Sequence, residues 1–165
     1  MTSASVARVM VVAVGVAACA GPEPGSAAIP RTLDVRAYTR DVHPIVEARC
    51  ATLDCHGSVE RPLRMFAETG LRASDPLRGQ PITPDELAAN VAAATAVDDA
   101  SVPVDGSVIL LKPLGAMKHT GATVWPSLED PEATCVRGWL AGTSDEPDVV
   151  AACATAATRV ALPPP

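Results

Sequence analysis

Aromatic residues are scarce: Tyr38, Phe66, Trp125 and Trp139 are the full set in 165 residues. Ala and Val supply most of the apolar content, so the side chains available for a core are small, and a bulky buried cofactor would help to fill it. A surplus of basic residues is also missing. The 13 Lys and Arg are outnumbered by 19 Asp and Glu, giving a net charge of −6, and this acidic balance offers no basic face for nucleic acid. No apolar run reaches the ~20 residues that a membrane-spanning helix needs. No Ser-His-Asp arrangement or phosphate-cradling glycine loop stands out. The aspartates Asp98, Asp99 and Asp105 lack the alternating oxygen ligands of a calcium loop and read as a solvated acidic turn. Histidine occurs only as His43, His56 and His119, which confines imidazole chemistry to three places.

Cysteine occurs five times, and the first member is unlike the others. It follows a short start carrying Arg8 and an apolar run from Val9 to Ala18, the pattern of an export signal. The tetrapeptide Val16-Ala17-Ala18-Cys19 resembles the lipobox of bacterial lipoproteins. That resemblance implies removal of residues 1–18, acylation of Cys19 and a lipid anchor in the cell envelope. Ala20, in place of Asp, implies a destination in the outer membrane facing the periplasm. Residues 19–32, with Pro22, Pro24, Gly25, Ser26 and Pro30, read as a flexible tether. An exported location is oxidising, so Cys50, Cys55, Cys135 and Cys153 are expected to be bonded to something.

The folded part is expected over 33–142. Val42, Ile45 and Val46 stand at helical spacing and Pro44 suits a first turn, so a helix is predicted from about Asp41 into Cys50. From Gly57 to Gln80 the pattern is that of loops. Thr83-Pro84-Asp85-Glu86 is a capping box that starts a helix continuing through Leu87, Val91 and Ala94. A short apolar run, Ser107 to Leu114, precedes a loop with Met117 and His119. Ser127 to Pro131 caps a last main helix that should stop at Gly142. Residues 143–165 form an extension with room for a short helix from Asp148 to Arg159. His43 is expected to be partly exposed with a local hydrogen bond.

Chemistry concentrates in Cys50-Ala-Thr-Leu-Asp-Cys55-His56-Gly57. Two thiols can form thioethers with the vinyl groups of haem, and a His directly after the second is then placed beneath the iron. With Tyr38-Thr-Arg-Asp41-Val42-His43-Pro44-Ile45-Val46 before it and Cys135-Val136-Arg137-Gly138-Trp139-Leu140 near the end, the chain resembles the class I cytochromes c, in particular the atypical domains of planctomycete and myxobacterial envelope proteins. The resemblance spans roughly residues 35–142. It implies a mainly α, cytochrome c-like helical domain with long loops and a haem c held by Cys50 and Cys55. His56 would be the proximal iron ligand, and the task would be one-electron transfer to an envelope redox partner rather than catalysis of a substrate. For the distal ligand, Lys118-His119-Thr120-Gly121 resembles a His-Gly pattern at that place in the atypical relatives, with Met117 as the alternative that the family commonly uses.

One departure stands out, since the usual spacing has two residues between the cysteines and this chain has four. The competing reading is a haem-free lipoprotein, a structural or interaction module with Cys50 bonded to Cys55. In both readings Cys135 and Cys153 are expected to pair, worth ~3 kcal/mol if unstrained, and the spacing fits no compact zinc unit. Acylation at Cys19 predicts that the full chain partitions into the detergent phase of a phase-separation assay. The Cys19→Ser variant should stay in the aqueous phase, with mass spectrometry finding no acylated N-terminus.

Overall fold

The computed structural model describes residues 30–161. The export signal, Cys19 and most of the tether therefore lie outside the described residues. The architecture is mainly helical, and among the described residues the only β pairing is a single bridge between Phe66 and Leu71. No described helix is long and apolar enough to cross a membrane.

The first structural unit is a continuous helical rod. Asp34 caps it by accepting hydrogen bonds from the backbone N–H groups of Arg36 and Ala37 at 2.7 and 3.0 Å. The rod runs through α1 (Val35–Ala37), a π-helical stretch (Tyr38–Val42) and α2 (His43–Arg49). It starts earlier than the apolar spacing predicts. The reason is that Leu33, Ala37 and Tyr38 bury themselves beside Val42, Ile45 and Val46, and the wider π turn keeps all of them on the inward side. The folded region also begins before Leu33. Arg31 forms an ion pair with buried Asp98 and donates to the carbonyls of Asp99 and Val102.

After the Cys50–Gly57 turn and a long loop, α3 (Pro84–Val97) opens on the expected capping box. The Thr83 hydroxyl accepts from the Glu86 N–H while the Glu86 carboxylate accepts from the Thr83 N–H. Glu86 does more than cap. It is 1% exposed and takes two hydrogen bonds from Arg72, at 3.0 and 2.8 Å, plus one from the Ala73 N–H. The remaining Arg72 donors reach the carbonyls of Leu77, Gln80 and Pro81. A buried ion pair is tolerated when its spare donors and acceptors are satisfied, and here they tie the whole 72–86 loop together.

A short α4 (Val108–Leu111) buries Leu110, and α5 (Pro131–Ala141) begins at an Asp130 cap and ends at Gly142 with φ of 72°. The C-terminal segment is not an appendage. Helix α6 (Pro147–Val160) packs along α5 and against the rod, contributing Val149, Cys153 and Ala156 to the core. Cys135 and Cys153 are joined, with Cα atoms 4.8 Å apart. Gly138 lets the two helices approach this closely, because a Cβ there would lie 2.3 Å from Val149. The rod meets α5 at Tyr38 and Trp139, whose rings are 5.2 Å apart, and the Trp139 indole N–H donates to the Asp34 carbonyl at 2.9 Å.

Two sequence-based expectations are corrected by burial. Asp98 is 2% exposed, not solvated, and accepts from Arg31 and from the Ser107 hydroxyl; Asp105 pairs with Arg137. His43 is buried, with neither ring nitrogen hydrogen-bonded.

Arg72, first of all, and the surrounding donors hold Glu86 at about 2, below its ordinary 4.5. A carboxylate depressed in the folded state stabilises the fold fully above its unfolded value and loses that contribution as the pH falls through the folded value. Thermal stability is therefore expected to drop as the pH falls from about 4.5 toward 2. The Glu86→Gln variant should melt lower at neutral pH and lose less on acidification. Parallel acid profiles for the two proteins would remove Glu86 from this role.

Candidate functional site

The rod delivers its last residue directly into the cysteine turn. The backbone N–H groups of Cys50 and Ala51 both donate to Val46 O at 2.8 Å, which ends α2. The chain then folds back on itself: Cys55 and Gly57 N–H reach Thr52 O at 2.9 Å each, and His56 N–H reaches Cys50 O at 2.8 Å. Within this turn Leu53 and Asp54 point outward and are exposed. Leu53 and Asp54 thus form an outward bulge, while His56 is bonded through its backbone to Cys50.

Ala51 explains why the turn is followed by glycine. A Cβ on Gly57 would stand 2.1 Å from the Ala51 carbonyl oxygen, and one on Gly70 would stand 2.2 Å from the same atom. The carbonyl is therefore held between two backbones that approach more closely than any side chain permits. The Met65 N–H donates to the His56 carbonyl at 2.8 Å and fixes the far side.

His56 is oriented through its ring as well. Its Nδ1 lies 2.9 Å from the Leu63 carbonyl and donates a hydrogen bond to it, which leaves Nε2 with the free lone pair, the arrangement of a metal-ligating imidazole. His119 comes from the loop after α4. The Pro113 carbonyl accepts from the N–H groups of both Val124 and Trp125, at 2.7 and 3.2 Å, and so closes the base of that loop. Gly121 lies against the His119 ring, where a Cβ would be 3.1 Å from Cε1.

These two loops bring the rings of His56 and His119 together, 6.1 Å between centroids and 14° from parallel. His119 Nδ1 is buried without a partner. Burial, and then His56 and Lys112, push the His119 pKa below its ordinary value, which favours the neutral ligand form. Met117, the alternative distal residue, is 39% exposed. Two imidazoles from separate loops, with two thiols in the turn that carries one of them, are the donor types that a covalently attached haem would use.

Cys50 and Cys55 are free thiols. Burial, reinforced by neighbouring Cys55, pushes Cys50 up to about 12. The sequence pointed to Cys50, Cys55, His56 and His119. It missed the positioning parts: the Leu63 carbonyl, the Ala51 carbonyl and Gly70. Compared with known proteins, the chain matches no family model, no curated protein and no solved structure.

The Gly57→Ala and Gly70→Ala variants are each expected to lose ~1–3 kcal/mol of stability, since the Ala51 carbonyl must move to admit a methyl group. Chemical denaturation reads this directly, and an unchanged midpoint in both would separate the turn from the close approach.

Proposed function

We propose that this chain is a c-type haem protein of the bacterial cell envelope that carries single electrons to or from a redox partner. Cys50 and Cys55 would hold the haem through thioethers, with His56 as proximal and His119 as distal iron ligand. The reading includes a cytochrome c-like fold, anchorage to the membrane through acylated Cys19, and electron transfer in place of catalysis on a substrate. The observation that carries it is the His56–His119 ring pair, 6.1 Å apart and nearly parallel, beside two unpaired thiols.

The haem, when bound, supplies the one-electron chemistry of its iron. The chain's own residues hold and tune it. The Leu63 carbonyl fixes the His56 tautomer and raises the basicity of the ring. The Ala51 carbonyl, locked against Gly57 and Gly70, keeps Cys55 and His56 in one rigid turn. Ligation by two imidazoles gives a lower potential than ligation by His and Met, because the thioether stabilises reduced iron. Leu53 and Val59, at 61% and 59% exposed, leave apolar surface on the same loop as the thiols.

Expression in a host competent for cytochrome c maturation should give a red protein whose colour survives acid-acetone extraction. Its oxidised spectrum should be low-spin. His56→Ala should largely abolish haem attachment, His119→Ala should turn the spectrum high-spin, and Met117→Ala should change neither. A colourless product with Cys50 bonded to Cys55 would overturn this function in favour of the haem-free lipoprotein.

A further inference from the structure

Positive charge is distributed unevenly over the described residues. Seven arginines each pair with a carboxylate. Among the described residues the other five cations, Arg36, Arg61, Arg64, Lys112 and Lys118, form no such pair. Four of those five lie on the two loops that carry His56 and His119, and all four are exposed. Lys112 and Lys118 are the only lysines of the chain, and they stand in a stretch, 107–128, that contains no Asp or Glu. In a chain of net charge −6, most cations are neutralised within the fold, and the ones left over are gathered around the candidate site.

Contacts keep these four on neighbouring ground. The Arg61 guanidinium donates to the Asp54 carbonyl at 2.8 Å, which lays it against the bulge of the cysteine turn. Arg64 donates from Nε to the Arg61 carbonyl at 3.4 Å and follows Leu63, whose carbonyl accepts from His56 Nδ1. On the other loop Lys118 adjoins His119, and Lys112 acts on the same ring, after burial and His56, in lowering its pKa. The 6.1 Å between the two rings joins the loops. Asp54 and Glu60 are the carboxylates between Cys50 and Met65, so the four cations outnumber the acids of these loops two to one. Leu53, Val59 and Met117, 61%, 59% and 39% exposed, add apolar area to the same loops. Single exposed apolar side chains are ordinary. Three of them beside unpaired cations form a surface that steers by charge and holds by apolar contact.

We propose that this face, which carries Leu53 and Val59 with Arg61, Arg64, Lys112 and Lys118, docks an acidic surface of a partner protein, one that presents Asp and Glu around apolar side chains. Charge complementarity sets the sign of the occupant, and the exposed apolar area sets its mixed character. Taking that protein to be the redox partner rests on the haem reading above. The docking itself uses only side chains of the chain.

The test is zero-length carbodiimide cross-linking of the full chain, produced in a host competent for cytochrome c maturation, to an N-acetylated peptide of Glu and Leu. With two lysines in the chain, the expected products are amides from Lys112 or Lys118 to a peptide carboxylate. The yield should collapse at ~0.5 M salt, where charges are screened within ~4 Å, an arm that needs no variant. Arg61→Gln/Arg64→Gln should lower it about fivefold, although neither position can itself be cross-linked. Arg36→Glu, an equal change of charge elsewhere, should leave it unchanged. A yield indifferent to salt, or equal losses in the double variant and in Arg36→Glu, would overturn the proposal. So would binding to phosphatidylglycerol vesicles in place of the peptide, which would assign the face to a membrane, or cross-links between two copies of the chain in place of the peptide. A colourless protein that still cross-links removes the haem reading and keeps the docking face; a red protein that does not cross-link does the reverse.

Discussion

The Ala51 carbonyl is the point on which the local structure turns. It sits at the junction of the rod and the cysteine turn, and the backbones of residues 57 and 70 close on it from two directions. Neither approach would be possible with a side chain. Because residue 57 follows His56 directly, the contact fixes the imidazole relative to the rod, and because residue 70 belongs to the returning loop, it also fixes where that loop lies. Phe66, Ala67 and Leu71 then fall into place around Asn90, whose amide holds both backbone atoms of Phe66 at 2.7 and 2.9 Å. A small hydrogen-bonded turn therefore governs a stretch of chain much longer than itself.

The candidate site is assembled from two loops that are each closed by backbone hydrogen bonds rather than by packing of large side chains. That solution suits a chain with four aromatic residues. Three of those four are used in the interior: Tyr38 and Trp139 at the crossing of the rod with α5, and Trp125 donating to buried Glu132 at 3.1 Å. Glu132 also accepts from Arg49, the residue just before Cys50. The scarce large side chains thus hold the frame, and hydrogen bonds set the position of the two imidazoles.

Helix starts and stops were legible in the sequence because their signals are local: the Thr83–Glu86 box, the Asp130-Pro131 start and Gly142 each act within a few residues. The adjacency of Cys55 and His56, and the choice of His119 as a candidate, were legible for the same reason. Burial was not. His43 looked like an ordinary first-turn residue, and its immersion depends on the loop carrying Glu68 lying over it. Asp98 looked like a solvent-facing acid, and its burial depends on Arg31 arriving from far along the chain. The partnership of Arg72 with Glu86 was hidden for a related reason, since Glu86 already had a sufficient local role as the capping residue. The π stretch carried no signal of its own, because its shape answers to side chains on either end of the rod.

The C-terminal helix has a consequence for the order in which the molecule can be completed. Val149 fills the notch left by Gly138, and Cys153 closes the covalent link to Cys135, yet both belong to a helix made after α5. A polypeptide emerging from its N-terminus has the rod, the cysteine turn and both imidazoles available while one flank of α5 is still bare. That flank is covered only when α6 docks. Until then α5 lacks both the side chain that fills its notch and the thiol that its own cysteine bonds.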